Sequence, residues 1–349
     1  MASDAVVVEV AGPEGPRQVR VSSPQRLMWP QDGITKLDLA QYVVDVGPAL
    51  IRVLGDRPVT LQRFPDGVEG EAFYNKNPPR GVPEWARTVP VTYPSGRSHP
   101  QLVIDETATA VWAVQMNTVT FHPWPVRTAD RDDPDELRLD LDPQPGRGFA
   151  DAAQAAHLLR ELLTELGLTG WVKTSGNRGV HVFARIRPHL EFLDVRHAAI
   201  GIGRELERRA PDLVTMAWWK EERGNRVFVD FNQTNRDRTI ASAYSPRPLR
   251  HAPVSTPVTW EDLDDVDPVE LTIRTVPALV QRRGDAWEGM DDAVGSLDAA
   301  LELWQRDCER GLGELAFPPD YPKMPGEPPR VQPSRARRPA GEAAAGTAE

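Results

Sequence analysis

The segment LRLDLDPQPG, residues 137–146, constrains the fold of this chain more than any other segment. Side chains on a β-strand alternate between two faces, so the three leucines would face a core while Asp140 and Asp142 share the opposite face. Two neighbouring carboxylates repel each other unless a positive charge lies between them. The segment therefore predicts a strand that presents two acidic side chains to a cation, or to solvent where the strand enters its proline-rich turn.

A second apolar strand also ends in an aspartate. Asp230 follows Val-Phe-Val in the segment RVFVDF, and aspartate is depleted in strands and costly to bury unpaired. If strand 137–142 lies beside strand 226–230, three carboxylates converge. Such a cluster can hold two metal ions for nucleotidyl transfer, one activating the attacking hydroxyl and one holding the triphosphate. The sequence alone does not show whether the two strands are adjacent.

The segment KTSGNRGVH, residues 173–181, predicts a β-hairpin turn in which Gly176 and Gly179 supply unusual backbone angles. Four donors for phosphate oxygens lie within these nine residues: Lys173, Ser175, Arg178 and His181. The pattern therefore indicates either a phosphate-binding turn or an ordinary hairpin.

The order of the predicted elements indicates an α+β fold. Hairpins and amphipathic helices are interspersed, which disfavours a doubly wound parallel sheet. Thr35, with Asp38 three residues later, resembles a capping box and predicts the start of a helix in the segment 34–54. From Pro318 onward proline, arginine, alanine and glycine dominate. We therefore expect one domain over residues 1–317 and a disordered tail over 318–349.

Composition restricts the classes of function. Cys308 is the only cysteine among the 349 residues, which excludes an internal disulfide and a cysteine-based zinc site. No apolar run approaches membrane-spanning length and the N-terminus lacks the features of a signal peptide, so we expect a cytoplasmic protein with no membrane partner. The formal net charge of −10 argues weakly against broad nucleic-acid affinity, although a basic groove can coexist with an acidic remainder.

Other charged or histidine-containing segments offer weaker candidates. The acidic segment ADRDDPDE, residues 129–136, could be a metal site, but runs of charge are usually solvated and we interpret it as an exposed loop. His157 and His197 lie in predicted helices without a second ligand at a suitable spacing. We expect both histidines to be structural or surface residues.

Taken in order, the motifs D-L-D-P, K-T-S-G-x-x-G-x-H, V-F-x-D and Y-S-P-R resemble the polymerase domain of bacterial ligase D, in the archaeo-eukaryotic primase superfamily. The resemblance extends upstream through LMWPQDGITKLDLAQY, LQRFPDGVEGEAFYNKN and FHPW, and downstream through HAPVSTPVTWEDL. It covers roughly residues 20–310. Each motif is weak alone, but their shared order and spacing identify the family. Since the chain contains no ligase or nuclease module, it is similar to the stand-alone members found in actinobacteria.

The resemblance implies a primase-type catalytic core, with mixed and antiparallel sheets flanked by helices and an RRM-like part. It also implies a role for each residue at a matching position. The implied metal-binding and catalytic carboxylates are Asp140, Asp142 and Asp230. The implied nucleotide-binding residues are His122, Lys173, Ser175, Arg178, His181, Gln233 and Arg247. The implied DNA contacts are Arg26 and Lys36 for a 5′-phosphate, and Phe73 and Tyr74 for stacking on the template.

The sequence departs from the family pattern at a few of these positions. Gln62 stands where a lysine is frequent, which puts one phosphate or nucleotide contact in doubt. Arg26 and Arg178 keep the charge of the usual lysines but change its geometry. Tyr74 replaces a common phenylalanine and should still stack. No departure removes a catalytic carboxylate, so we expect activity to be retained.

The resemblance thus implies a template-directed nucleotidyltransferase, a DNA-dependent primase-polymerase that extends primer 3′ ends with ribo- or deoxyribonucleoside triphosphates. Two Mn²⁺ or Mg²⁺ ions are the implied cofactors. The expected substrate is gapped or broken DNA with a 5′-phosphate, filled in during end joining or excision repair at the nucleoid. A DNA ligase and an end-binding protein are the expected partners.

Two other classes of function remain open at this point. A non-catalytic DNA-end-binding protein would use Arg26, Lys36 and the aromatic pair to bridge breaks, although three carboxylates facing DNA disfavour it. A metal-dependent phosphohydrolase would account for the D-L-D motif but not for Ser175, His181 or the aromatic pair. Extension of a labelled gapped duplex distinguishes polymerisation, binding alone and hydrolysis without extension.

Overall fold

The computed structural model describes residues 5–93, 96–236 and 238–317, and the predicted tail lies outside these ranges. The α-helices in the described part are α1 (Lys36–Asp45), α2 (Gly47–Leu54), α3 (Thr107–Gln115), α4 (Phe149–Glu165), α5 (Phe192–Arg209), α6 (Val276–Arg283) and α7 (Asp298–Glu309). The strands of the first half are β1 (Ala5–Val10), β2 (Arg17–Ser22), β3 (Leu27–Trp29), β4 (Ile34–Thr35), β5 (Pro58–Arg63), β6 (Phe73–Asn75), β7 (Thr88–Thr92), β8 (Ser98–Val103) and β9 (Thr118–Pro123). The strands of the second half are β10 (Glu136–Pro143), β11 (Trp171–Thr174), β12 (Val180–Arg185), β13 (Val214–Thr215), β14 (Val227–Asp230), β15 (Ser245–Pro246) and β16 (Val254–Ser255).

The helical segment predicted over 34–54 forms two helices rather than one. Its start is confirmed, since the Thr35 hydroxyl accepts from the Asp38 backbone N–H at 3.1 Å and the Asp38 carboxylate accepts from the Thr35 N–H at 2.8 Å. The break falls at Val46, because Pro48 in the first turn of α2 has no N–H to donate back into α1. None of the described helices is both long and apolar enough to cross a bilayer.

The central sheet has five strands in the order β11-β12-β10-β14-β13. Its middle strand, β10, is antiparallel to both neighbours, whereas β13 runs parallel to β14. Leu137, Leu139 and Leu141 are fully buried, and helices α4 and α5 pack against β10. The predicted alternation along β10 is therefore confirmed, with the leucines in the core and the aspartates on the opposite face.

A second sheet lies on the N-terminal side and carries the aromatic pair of the sequence. Strand β5 pairs with β9 along one edge and with β6 and β8 along the other. β6 consists of Phe73, Tyr74 and Asn75, and β9 ends in the FHP segment that contains His122. The α+β architecture predicted from the sequence is therefore the observed one.

A buried network of charges joins the two sheets. Arg57, just before β5, lies 2.6 Å from the Asp135 carboxylate and 2.9 Å from that of Glu136. The Glu136 carboxylate also forms ion pairs with Arg138 of β10 at 2.6 Å and with Arg185 of β12 at 2.8 Å. Interpreting residues 129–136 as an exposed loop was therefore wrong for the last three, Pro134, Asp135 and Glu136, which are buried. Each carboxylate is buried together with several arginines that offset the cost of desolvation.

The last five described residues, 313–317, form an extended segment that we call the C-terminal strap. Arg196 of α5 donates to the Ala316 carbonyl at 3.2 Å, and its guanidinium lies 3.9 Å from the centre of the Phe317 ring. Asn232, in the 3₁₀ turn after β14, donates to the same Ala316 carbonyl at 3.2 Å. The strap therefore ties α5 to the turn that follows Asp230.

The two helical histidines have structural partners, as expected. His157 of α4 lies 3.1 Å from the Asp264 carboxylate. His197 of α5 lies 2.7 Å from the carboxylate of Glu314 in the C-terminal strap, and its ring stacks on Trp304 at 4.2 Å. Both histidines thus join helices to neighbouring segments.

Candidate active site

The register of the central sheet places four polar residues in one row. Asp140 of β10 lies opposite His181 of β12 on one side and opposite Asp230 of β14 on the other. His181 in turn lies opposite Lys173 of β11. Directly opposed residues of antiparallel strands project from the same face. The two strands that carry aspartates are therefore adjacent, which the three-carboxylate hypothesis requires and which the sequence could not show.

The surroundings of the two aspartates in this row favour their protonated forms. Burial, followed by the charges of Asp230 and Asp142, raises the pKa of Asp140 well above its usual range. Burial also raises the pKa of Asp230, although the Asn232 backbone N–H at 2.8 Å and the Gln233 side chain at 3.1 Å both donate to its carboxylate. Holding all three groups ionised here costs free energy that a cation between them would remove.

The donor chemistry of these residues fits a hard divalent ion, and two of the carboxylates accept hydrogen bonds from neighbouring side-chain amides. Asp142 accepts from the Gln144 side chain at 3.0 Å, and Asp230 accepts from Gln233. Among the residues that the structure describes, no three His, Cys, Asp or Glu side chains are grouped as a metal site. A bound metal ion would compete with these amide donors for the carboxylate oxygens, which are the ligands that Mg²⁺ and Mn²⁺ prefer.

Lys173 contacts the ring nitrogen of His181 that faces away from Asp140, and so helps to orient the ring. Its buried amine lies 2.6 Å from His181 Nδ1, 2.5 Å from Ser255 Oγ and 3.0 Å from the Ala241 carbonyl. Burial, followed by the charge of Arg247, lowers the pKa of Lys173 well below its usual range, and the charge of Asp140 opposes this lowering. When the amine is charged it donates to all three acceptors, so Nδ1 accepts and Nε2 carries the proton. His181 Nε2 lies 3.4 Å from Asp140 Oδ1. The imidazole thus presents one N–H to the aspartate side of the site.

The charge state of this histidine follows from its surroundings. Burial, followed by the charge of Lys173, lowers the pKa of His181 well below its usual range, so the ring is neutral near pH 7. Lys173, predicted from the sequence as a donor to phosphate, is instead fully buried with protein partners on its amine. Its place in the structure is that of a support for His181.

The Ser175 side chain stabilises the turn between β11 and β12. Ser175 Oγ accepts from two backbone N–H groups of the turn, at 3.2 and 3.1 Å, which leaves its own proton available to a ligand. Gly176 has φ +75°, and a Cβ there would lie 2.5 Å from Arg247 Cγ, so no other residue fits. The turn therefore packs directly on Arg247, while Arg178 is exposed at its tip.

Arg247 and His122 connect the aspartate row to the second sheet. The charge of Asp140 opposes the effect of burial on the pKa of Arg247, which places the guanidinium near the acidic row. Burial, then the charge of Arg247, lowers the pKa of His122 to about 3, so this imidazole is neutral. Arg247 Nε is a buried donor without a hydrogen-bond partner in the described part of the chain. Such a donor favours an anionic ligand.

The aromatic pair on β6 is exposed, as a stacking surface must be. Phe73 is 46% exposed and Tyr74 is 42% exposed, and large aromatic side chains rarely remain so accessible without a partner. Tyr74 also contacts the His122 ring edge-on, with ring centres 5.7 Å apart. The pair therefore borders the pocket that contains His122 and Arg247.

The two cations predicted to bind a 5′-phosphate lie near each other but differ in exposure. Arg26 is exposed and donates to the Pro65 carbonyl. Lys36 is almost completely buried and donates to the Gln115 carbonyl at 3.2 Å. Burial and then the charge of Arg26 lower the pKa of Lys36 to about 8. An anion placed between two such cations would relieve their repulsion.

Two contributors to the site were not predicted. Ser255 accepts from Lys173 across 82 positions of sequence, and Gln144 holds Asp142. Ser255 lies within the HAPVSTPVTW segment, which carries the family resemblance but no catalytic residue type. Gln144 follows the D-L-D-P motif directly, and this proximity was the one available signal for it.

Comparison with known proteins agrees with this architecture. The family model described as LigD, primase-polymerase domain, matches residues 35–287. The multifunctional non-homologous end joining protein LigD of Pseudomonas aeruginosa is 35% identical over 298 residues, which are 84% of this chain and 35% of that protein. The bifunctional non-homologous end joining protein LigD of Bacillus subtilis is 28% identical over 80% of this chain and 45% of its own length. The chain thus spans between a third and a half of these relatives.

A solved structure shows the same fold. The polymerase domain of Mycobacterium tuberculosis ligase D, in complex with DNA, matches with a TM-score of 0.74 and 29% sequence identity. The match covers 78% of this chain and 98% of that domain. Sequence and structure therefore agree that this chain belongs to the LigD primase-polymerase domain family.

Proposed function

We propose that this protein is a template-directed nucleotidyltransferase that extends a primer 3′ end opposite a DNA template. The observation that carries the proposal is the row of Asp140, Asp230 and His181 across one sheet face. Beside it lies the buried Nε–H of Arg247, which has no hydrogen-bond partner among the described residues. Acidic groups for metal ions and donors for phosphate oxygens thus lie side by side. A nucleoside triphosphate carrying its metal ions needs that combination.

The metal ions would be held by Asp140, Asp142 and Asp230. Mn²⁺ or Mg²⁺ bound there supplies activation of the 3′-hydroxyl and neutralisation of the triphosphate charge. The remaining work falls to the chain's own donors. His181, through Nε2–H, and the Ser175 hydroxyl would bind phosphate oxygens, with the exposed Arg178 at the rim of the site.

Three further residues of the same pocket would assist nucleotide binding. Arg247 would bind the triphosphate through its free Nε–H, and its positive charge next to Asp140 limits repulsion between the acidic row and the ligand. His122, neutral and buried, would contact the nucleotide without adding charge. Gln233 would orient Asp230, to which it donates.

The DNA would lie along the second sheet. Phe73 and Tyr74 would stack on a template base, and Arg26 with Lys36 would bind a 5′-phosphate on the far side of a gap. The relatives are named as end-joining proteins and the structural neighbour is bound to DNA. We therefore infer that gapped or broken DNA is the substrate, that repair at the nucleoid is the setting, and that a DNA ligase and an end-binding protein are partners.

Primer extension on a labelled gapped duplex tests the proposal. Wild-type protein with Mn²⁺ and either ribo- or deoxyribonucleoside triphosphates should add the templated nucleotide, and D140A should lose at least about 100-fold in rate. D264A is a matched control, because Asp264 is an exposed carboxylate that contacts only the structural His157 among its described partners. DNA binding without extension by the wild type would support a non-catalytic end-binding protein, and nucleotide hydrolysis without extension would support a phosphohydrolase.

A further inference from the structure

Gln62 joins the exposed aromatic pair to the nucleotide pocket. It lies on β5 between Tyr74 of β6 and Thr120 of β9, and His122 is one pleat further along β9. Its Nε2 donates to the Tyr74 hydroxyl at 2.8 Å, and its Oε1 lies 3.5 Å from His122 Nε2. Gln62 is 9% exposed. A buried amide therefore contacts both an exposed stacking ring and a buried imidazole.

The three side chains form a closed set of contacts. Besides sharing Gln62, Tyr74 and His122 touch each other directly through the edge-on ring contact at 5.7 Å. Arg247 acts electrostatically on both rings. Burial raises the pKa of Tyr74 and the charge of Arg247 opposes this rise, whereas burial and then the charge of Arg247 both lower the pKa of His122. A change in the position of one ring must therefore be accommodated by the other, because both are held by the same amide.

At position 62 a side-chain amide can make both of the observed contacts, whereas a lysine could not. Glutamine offers a donor and an acceptor on one side chain, whereas lysine offers donors alone. The two positions where the sequence departs from the family pattern in this sheet, Gln62 and Tyr74, are the two that hydrogen-bond to each other. The Tyr74 hydroxyl gives the Gln62 amide a partner that a phenylalanine would not provide.

We propose that Gln62 is a positioning residue that couples stacking of the template base on Tyr74 to binding of the incoming nucleotide beside His122. This inference rests on the proposed function, since it assigns the template and the nucleotide to neighbouring parts of one site. A fixed Tyr74 ring loses less conformational freedom when a base stacks on it. The amide that fixes the ring also fixes His122, so each ligand prepares the site of the other.

A double-mutant cycle tests the coupling. Y74F removes the hydroxyl and keeps the ring, and Q62L removes the amide at similar volume. Each variant should raise the KM for the templated nucleotide about fivefold, the equivalent of about 1 kcal/mol, while kcat changes less than twofold. The double variant should be no worse than Q62L, because Q62L already removes the contact with the hydroxyl that Y74F removes.

Two further measurements separate coupling from simple loss of stability. The affinity for a fluorescent gapped duplex, measured by anisotropy, should improve about fivefold when wild-type protein also binds a nucleotide, and this gain should disappear in Y74F. Y93F is a matched control, because the Tyr93 hydroxyl accepts from the buried Gln101 in a separate apolar cluster. Y93F should retain the gain, and thermal melting should show that all variants are folded.

The inference fails if the effects of Y74F and Q62L on KM multiply, or if Y74F binds DNA and nucleotide as the wild type does. Failure of the proposed function looks different, because wild-type protein would then not extend any primer. The anisotropy measurement does not depend on extension, so the contact between Gln62 and Tyr74 is tested even in that case.

Discussion

Replacing Asp140 by asparagine should stabilise the metal-free protein while abolishing nucleotidyl transfer. Asparagine has nearly the same shape and keeps an oxygen that can accept from His181 Nε2, 3.4 Å away. It removes the charge that lies opposite Asp230 and two residues from Asp142. Since burial and these two carboxylates already raise the pKa of Asp140 well above its usual range, the ionised form is the unfavourable one in the fold.

The size of the effect follows from charge and distance. Two opposed residues on neighbouring strands place their carboxylates about 5 Å apart, which corresponds to about 3 kcal/mol of repulsion at an effective dielectric constant of 20. Lys173, two strands or about 10 Å away, and Arg247 both attract the Asp140 carboxylate, and together they offset roughly half of this repulsion. Adding the relieved desolvation of a buried charge, we expect D140N to gain about 2 kcal/mol, or about 3 °C in melting temperature.

The sign of the pH dependence is fixed by the direction of the shift. A carboxyl whose pKa is raised by folding favours the fold while it is protonated, and this contribution is lost as pH rises from about 4 through the raised value. The stabilisation by D140N should therefore be smaller at pH 5 than at pH 8. All other titrating groups are shared by the two proteins, so their difference isolates residue 140.

Thermal unfolding in the presence of a chelator, at pH 5 and pH 8, measures this difference. Added Mn²⁺ should raise the melting temperature of the wild type and should raise that of D140N much less, since binding to the folded state is what stabilises it. If D140N melts below the wild type at pH 8 without metal, or if the difference between them does not change with pH, the repulsion inferred from the strand register is not present.

Three further changes probe other parts of the molecule. E136Q leaves Arg57, Arg138 and Arg185 without a charged partner on one side of the buried network, and should cost about 3–5 kcal/mol in urea unfolding; a loss below about 1 kcal/mol would contradict it. F73A should weaken binding of a gapped duplex by about 1–3 kcal/mol in anisotropy titrations, and unchanged affinity would remove Phe73 from the DNA surface. K36M should abolish any preference for a 5′-phosphorylated gap over an unphosphorylated one, measured as a ratio of affinities, with little effect on the unphosphorylated substrate.

Much of the fold could be predicted because local pattern and tertiary structure agree. The alternation of leucine and aspartate in 137–142, the Thr35 cap and the hairpin around Gly176 each depend on a few neighbouring residues. The adjacency of β10 and β14 could not be predicted, because strand order depends on contacts between segments some ninety positions apart. The family resemblance supplied the grouping of the carboxylates before the register was known.

The errors have the same origin in long-range contacts. Asp135 and Glu136 look like the end of a charged loop, and their burial becomes tolerable through the arginines around them, which are Arg57, Arg127, Arg138 and Arg185. The motif suggests that Lys173 donates to phosphate, yet its amine donates to Ser255 and to the Ala241 carbonyl, which lie in distant segments of the sequence. Residue type indicated which side chains carry charge, whereas their neighbours determined what that charge does.

The C-terminal strap connects the end of the described residues to one of the candidate catalytic carboxylates. Phe317 is held by Arg196, and Ala316 is held by Asn232, whose own backbone N–H binds Asp230. The strap is therefore connected to the Asp230 carboxylate through Asn232. Displacing the strap would therefore disturb the residue that donates a backbone hydrogen bond to this carboxylate.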